Sequence, residues 1–371
     1  MVFPVPKHNT AKTEEQSSLF WEWIEHIKNM ITILILGFLF GATLQYAKLN
    51  KYNTISGMAT LNNLAVAKAI AVAIGVGAIL INIEIGLGLA GYHAKPLIFG
   101  GVALGGIIFG IGMAILGYCP GTLAISLGQG SVDALFGIIG GLFGGLGYTL
   151  ILPSIQGILE PNLGVISLHT IAGNSPVLFY ILLILLGAVF IGAAFWLHKL
   201  DKPGKDMKWL AAGIGLAILN AIVFLSAVSN RQIGASTTFP FVADWLTGVT
   251  QNSYFEAIQK SGRWEVLFLA GAVLSGLIIS LLKKEFKIQL IHENWKNFKN
   301  NSRSSRILWS LFGGFILIFG ARMAGGCTSG HIISGGMQLA VSSLVFSAFV
   351  FAGLLVTGRL FYGKENFNKK G

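Results

Sequence analysis

Residues 96–122 read PLIFGGVALGGIIFGIGMAILGYCPGT, an uncharged apolar run from Pro96 to Gly117 that stops at Gly117-Tyr118-Cys119-Pro120-Gly121-Thr122. A bilayer crossing needs about 20 apolar residues. Hydrocarbon cannot hydrogen-bond a freed backbone, so a helix interrupted at that depth survives only where protein or a polar cavity satisfies it. The pattern returns near the other end, where Ile307 to Ala324 runs into Gly325-Gly326-Cys327-Thr328-Ser329-Gly330-His331. The chain has two cysteines, and each sits at such a break.

Working outward, the rest of the 371 residues has the same character. It is 54% hydrophobic and 11% charged, with 49 glycines and a mean hydropathy of +0.71; soluble domains carry about 25% charged residues. An all-α integral membrane protein is expected, since the apolar runs are too long for barrel strands. Nine spans are read: Met30 to Ala47, Ala69 to Ala90, Pro96 to Gly117, Ser131 to Leu152, Pro176 to Leu197, Leu210 to Ser229, Val266 to Leu282, Ile307 to Ala324 and Leu339 to Thr357. No cleaved leader is read in the first 29 residues, which mix Lys7, Lys12 and Lys28 with Glu14, Glu15, Glu22 and Glu25.

The net charge of +11 does not call for nucleic acid, because its cations lie in loops between spans. Basic clusters at Lys199 to Lys208, Lys283 to Arg306 and Arg359 to Lys370 mark the cytoplasmic side, and nine spans then leave the N-terminus outside. A bacterial inner membrane with a cytoplasmic C-terminus is the expected location. Both cysteines are expected as free thiols, since they lie in apolar surroundings rather than in a small secreted scaffold.

The two cysteine regions share an order of parts: Met-Ala, a glycine-flanked cysteine, a glycine pair, then another span. This weak internal repeat divides the chain into a polar tail (1–29), a first half (30–200), a linker (201–207), a second half (208–358) and a basic tail (359–371). Repeats of this kind in transporters bring two broken helices together near the bilayer midplane. Asn50 to Asn63 and Gly234 to Thr247, polar and too short to span, are read as re-entrant segments lining the same cavity. Residues 283–306 are read as a cytoplasmic amphipathic connector with Phe286, Ile288, Leu290, Ile291 and Trp295 on an interfacial face.

Candidate site residues follow from the breaks. Pro120 suits a first helical turn, and the N–H groups beyond it, at Gly121 and Thr122, would point at an anion. Thr328, Ser329, Gly330 and His331 offer the same arrangement after Cys327. The flanking glycines admit a ligand close to the backbone. Arg322, within the span before Cys327, either raises the potential for an anion or pairs with a buried carboxylate such as Glu84. His331 either orients a ligand or is a satisfied structural group. Two cysteines and one histidine fall short of a closed zinc site, and there is no GxxxxGK[ST] loop, so neither metal, nucleotide nor other cofactor is expected.

Gly326-Cys327-Thr328-Ser329-Gly330-His331 after Ala321-Arg322-Met323-Ala324-Gly325, with Gly117-Tyr118-Cys119-Pro120-Gly121-Thr122, resembles the YeeE/YedE sulfur-transport family over about Gly37 to Gly358. The resemblance implies two pseudo-symmetric halves, broken helices meeting at a waist, and thiosulfate import past cysteines that contact the ion without a lasting covalent bond. Cys119 and Cys327 match two of the family's three path cysteines. Asn50 stands in the place of the third, in the stretch Leu44-Gln45-Tyr46-Ala47-Lys48-Leu49-Asn50, and offers amide donors instead of a thiol.

The expected activity is therefore uptake of a small sulfur-containing anion, thiosulfate first, and not enzymatic turnover. A cytoplasmic sulfur carrier or sulfurtransferase is the expected recipient. The competing reading is a membrane thiol enzyme or redox relay handling sulfur or selenium species through Cys119 and Cys327.

Overall fold

Glycine-rich apolar runs build long helices here because small residues let helix backbones touch where lipid supplies no hydrophobic drive between them. A computed structural model describes residues 10–173, 175–201, 206–250 and 252–366, except the side chains of 10–23, 25 and 26. The order is α1 (Thr10–Tyr46), α2 (Tyr52–Ala59), α3 (Ala65–Gly86), α4 (Phe99–Leu116), α5 (Pro120–Gly128), α6 (Val132–Leu159), α7 (Leu168–Ala172), α8 (Pro176–Leu200), α9 (Lys208–Phe224), α10 (Thr238–Thr247), α11 (Ser253–Leu282), α12 (Glu293–Phe298), α13 (Arg303–Met323), a π-helical turn at Thr328–Gly335, and α14 (Val341–Phe361). The protein is all-α. Among the described residues eight helical stretches are long and apolar enough to cross a membrane, and α9 is a further apolar helix of 17 residues.

Packing partners come in matched sets. α1 packs on α11 while α3 packs on α9; α6 packs on α13 while α4 packs on α14; α5 contacts α11 while the π-helical turn contacts α3. α4 and α13, the helices leading to the two cysteines, pack on each other along their glycines. A Cβ on Gly105 would sit 2.8 Å from the Gly320 carbonyl oxygen, so both backbones approach because neither residue has a side chain.

Several expectations need adjustment. The tail drawn as 1–29 is helical from Thr10 onward, continuous with the first span. α6 runs through Pro153 to Leu159. The connector 283–306 is irregular apart from α12 and the first turn of α13; Ile288 is 75% exposed, but Trp295 is fully buried, lying beneath the Arg306 guanidinium rather than at an interface. The linker residues 202–205 and the tail residues 367–371 lie outside the described part.

Candidate functional site

Both breaks are made the same way. α4 ends at Gly117 with φ +77, and α13 ends at Ala324 before Gly325 with φ +74. Gly325 donates to Arg322 O at 3.0 Å and Gly326 to Ala321 O at 2.8 Å, closing the end of α13 in the left-handed turn that glycine adopts most cheaply. Two residues after each such glycine comes the cysteine, extended, as the N-cap of the next element: Cys119 for α5 and Cys327 for the π-helical turn.

Cys119 is held by Thr122. Its N–H donates to Thr122 Oγ1 at 2.8 Å, and that hydroxyl lies 3.0 Å from Cys119 O and 3.3 Å from Sγ. Cys327 Sγ lies 3.3 Å from Ser329 Oγ. Both cysteines are free thiols, Cys327 buried and Cys119 half-buried. The two elements face one cavity of about 40 Å³, with Cys119, Gly121 and Thr122 on one side and Thr328 and Ser329 on the other. Phe40, Leu44, Leu216 and Ile333 make its remaining walls apolar. Thr328 Oγ1 is buried and has no hydrogen-bond partner among the described residues, an expensive arrangement for a hydroxyl.

The residues near Cys327 carry an excess of positive charge. Arg322 donates to Tyr254 Oη at 2.7 Å, Ser236 Oγ at 3.2 Å and Thr237 Oγ1 at 3.0 Å. Its partners are hydroxyls, and Glu84 is not among them. Glu265 accepts instead from the N–H groups of Thr237 and Thr238 and lies 3.6 Å from Arg231. Lys95, in the loop before α4, reaches across to donate its ammonium to the Gly325 carbonyl. Burial, and then the Arg322 charge, pull the Lys95 pKa down to about 8. A Cβ on Gly326 would stand 2.5 Å from Lys95 Nζ, so the glycine leaves room for the cation.

Other candidates are placed differently. His331 is fully buried and spends both ring nitrogens, Nε2 on Ala324 O at 2.9 Å and Nδ1 on Ser343 Oγ at 3.0 Å. It braces the end of α13 against α14. Gly330 packs near Ile233 O, where a Cβ would sit at 3.4 Å. Asn50 is fully buried, donating to Gln129 Oε1 at 2.9 Å and Ser126 Oγ at 3.3 Å. Asp133, one helix along from Cys119, pairs with Arg306 at 2.6 Å and contacts His292 at 3.1 Å, and the Tyr118 hydroxyl reaches both Asp133 and His292. Sequence alone does not point to Lys95 or Gln129. Lys95 reads as a loop cation, and nothing local ties it to a motif more than 200 residues away.

The family profile described as "Sulphur transport" matches residues 51–356. The chain is also 26% identical over 328 residues to the thiosulfate transporter TsuA of Spirochaeta thermophila, covering 84% of this chain and 93% of that protein. With broken helices, capped cysteines and a profile match spanning both, the chain belongs to the YeeE/YedE sulphur-transport family, a group of multi-pass membrane transporters.

Proposed function

We propose that the protein takes up a small sulfur-containing anion, thiosulfate first, through the cavity between the two breaks, passing it between weak contacts. The observation that carries this reading is the convergence of two helical N-termini, with Cys119, Thr122, Ser329 and the unpartnered Thr328 hydroxyl, on one narrow cavity. Backbone N–H groups at such termini favour anions. Contacts to neutral donors hold an ion loosely enough to let it leave. Arg322 and Lys95 compensate its charge on the Cys327 side.

The two halves, 30–200 and 208–358, act as inverted repeats; the matched packing sets support this. The location is a bacterial inner membrane with the C-terminus in the cytoplasm, as the basic clusters at its loops favour. On that side Lys287, Lys296 and Arg303 line an open groove of about 590 Å³. It suits an acidic cytoplasmic sulfur carrier or sulfurtransferase that takes the cargo. The chain is read as a transporter, not an enzyme.

The deciding experiment is uptake of radiolabelled thiosulfate by cells lacking other importers, with Cys119→Ala and Cys327→Ala expressed at equal membrane levels. Both variants are expected to lose uptake. Unchanged uptake in both would overturn the relay, and a persistent sulfur adduct on either cysteine by intact-protein mass spectrometry would favour the thiol-enzyme reading.

A further inference from the structure

The polar contacts continue along α5 beyond Cys119. Gln129 caps the far end of that helix, about 15 Å from the cysteine at ~1.5 Å per residue. Its side-chain oxygen accepts two hydrogen bonds, from Asn50 Nδ2 at 2.9 Å and from Lys51 Nζ at 2.7 Å. Two donors meeting on one atom fix the orientation of the amide, because a flipped amide would set N–H against N–H. The Gln129 nitrogen is thereby turned away from them, buried and without a partner among the described residues. A buried unpaired donor is costly to keep in a folded chain.

Asn50 has no amide hydrogen left for an ion, and its own Oδ1, an acceptor that would repel one, is also buried without a partner among the described residues. One of its amide protons goes to Gln129 and the other to Ser126 Oγ, while Ser126 donates back to Asn50 O at 2.8 Å. Lys51, half-buried at the start of α2, has no carboxylate in hydrogen-bond contact among the described residues; Glu285 and Lys48 act on it at longer range. An ammonium resting on a neutral amide oxygen can exchange that oxygen for one from an anion, since the anion offers the stronger charge-assisted bond.

We propose that Lys51 Nζ and Gln129 Nε2 form a second binding site for the transported anion at the α2–α5 end of the path, with Asn50 as its positioning residue. This rests on the reading of the protein as a thiosulfate transporter. The path then has a cation at each end, Lys95 beside Cys327 and Lys51 beyond Cys119, and the thiols lie between them. In this arrangement Asn50 acts through Gln129 rather than by touching the ion.

The test is the initial rate of radiolabelled thiosulfate entry into right-side-out and inside-out membrane vesicles. Lys51→Ala and Gln129→Glu are expected to raise the half-saturating concentration about tenfold when the ion is presented at the Lys51 face, the size of one lost charge-assisted bond. From the opposite face it should stay within about twofold. Asn50→Asp, which draws the Gln129 nitrogen toward itself, should give the same one-sided loss. Combining it with Gln129→Glu should add little, as expected for residues acting as a unit.

Wild-type half-saturation at both faces for Lys51→Ala, or an equal loss at both, overturns the site while leaving transport itself standing. Wild-type vesicles that carry no thiosulfate overturn the transport reading, and the site with it. If Gln129→Glu does not fold, the half-buried Lys51→Ala decides alone.

Discussion

Gly117 and Gly325 occupy the same left-handed conformation, φ +77 and +74, and each stands two residues ahead of a cysteine. Their surroundings differ. A Cβ on Gly117 would meet the Tyr52 ring at 2.3 Å, whereas one on Gly325 would meet nothing within 4 Å. Gly325→Ala therefore isolates backbone strain and is expected to cost about 1 kcal/mol. Gly117→Ala adds a collision with a buried ring and should cost more. Thermal unfolding of the two variants in detergent checks the order; equal losses would mean the Tyr52 ring adds nothing to the backbone strain, and no loss at Gly325 would mean the break is not held by backbone conformation.

Thr328→Val separates function from folding. The hydroxyl has no partner among the described residues, so an isosteric methyl should leave stability unchanged or raise it by about 1 kcal/mol. Thiosulfate uptake should fall several-fold if that hydroxyl meets the ion. A variant with raised stability and full uptake would remove Thr328 from the path.

Lys95 predicts a pH dependence with a definite sign. Its lowered pKa, about 8, means the ammonium is charged below that pH and neutral above it. Arg322, Arg231, Glu265 and Cys327 are the charged or titratable groups that act on it. Affinity for an anion should thus be full at about pH 6.5 and weaken through pH 8 as the charge is lost. Half-saturation for thiosulfate measured across that range tests this, and Lys95→Arg, which stays charged, should flatten the profile.

The buried pair Asp133–Arg306 bears on stability. Arg306 is fully buried, stacked on Tyr52 and Trp295, and also donates to the carbonyls of Ile115 and Leu116 at the end of α4. Asp133→Ala leaves that guanidinium without its counter-charge and should cost about 3–5 kcal/mol. Asp133→Ala with Arg306→Met should cost clearly less than the sum of the single changes, read from melting temperatures. Additive losses would show that the two residues do not act as a pair.

Much of the architecture was legible because its causes are local. An apolar run of about 20 residues reports a span, and glycine before cysteine and proline reports a helix that stops and restarts. The place of Arg322 was legible as a buried charge, but its hydroxyl partners Ser236, Thr237 and Tyr254 come from other elements and have no sequence signature. Trp295 illustrates the limit of reading a face from periodicity. Its neighbours look interfacial, yet the short helix α12 turns its ring inward under Arg306. Lys95 and Gln129 escaped for the same reason, because their roles depend on loops meeting elements far away in the chain.

The tight apolar waist between the breaks has an electrical consequence. A passage with room for a few water molecules and walls of Phe40, Leu44, Leu216 and Ile333 offers little support for a continuous hydrogen-bonded water chain. Between turnovers the protein should behave as an insulator, keeping the membrane potential intact. Vesicles loaded with a pH-sensitive dye should hold a proton gradient as well with the protein as without it, and a polar replacement such as Leu216→Ser should make them leak.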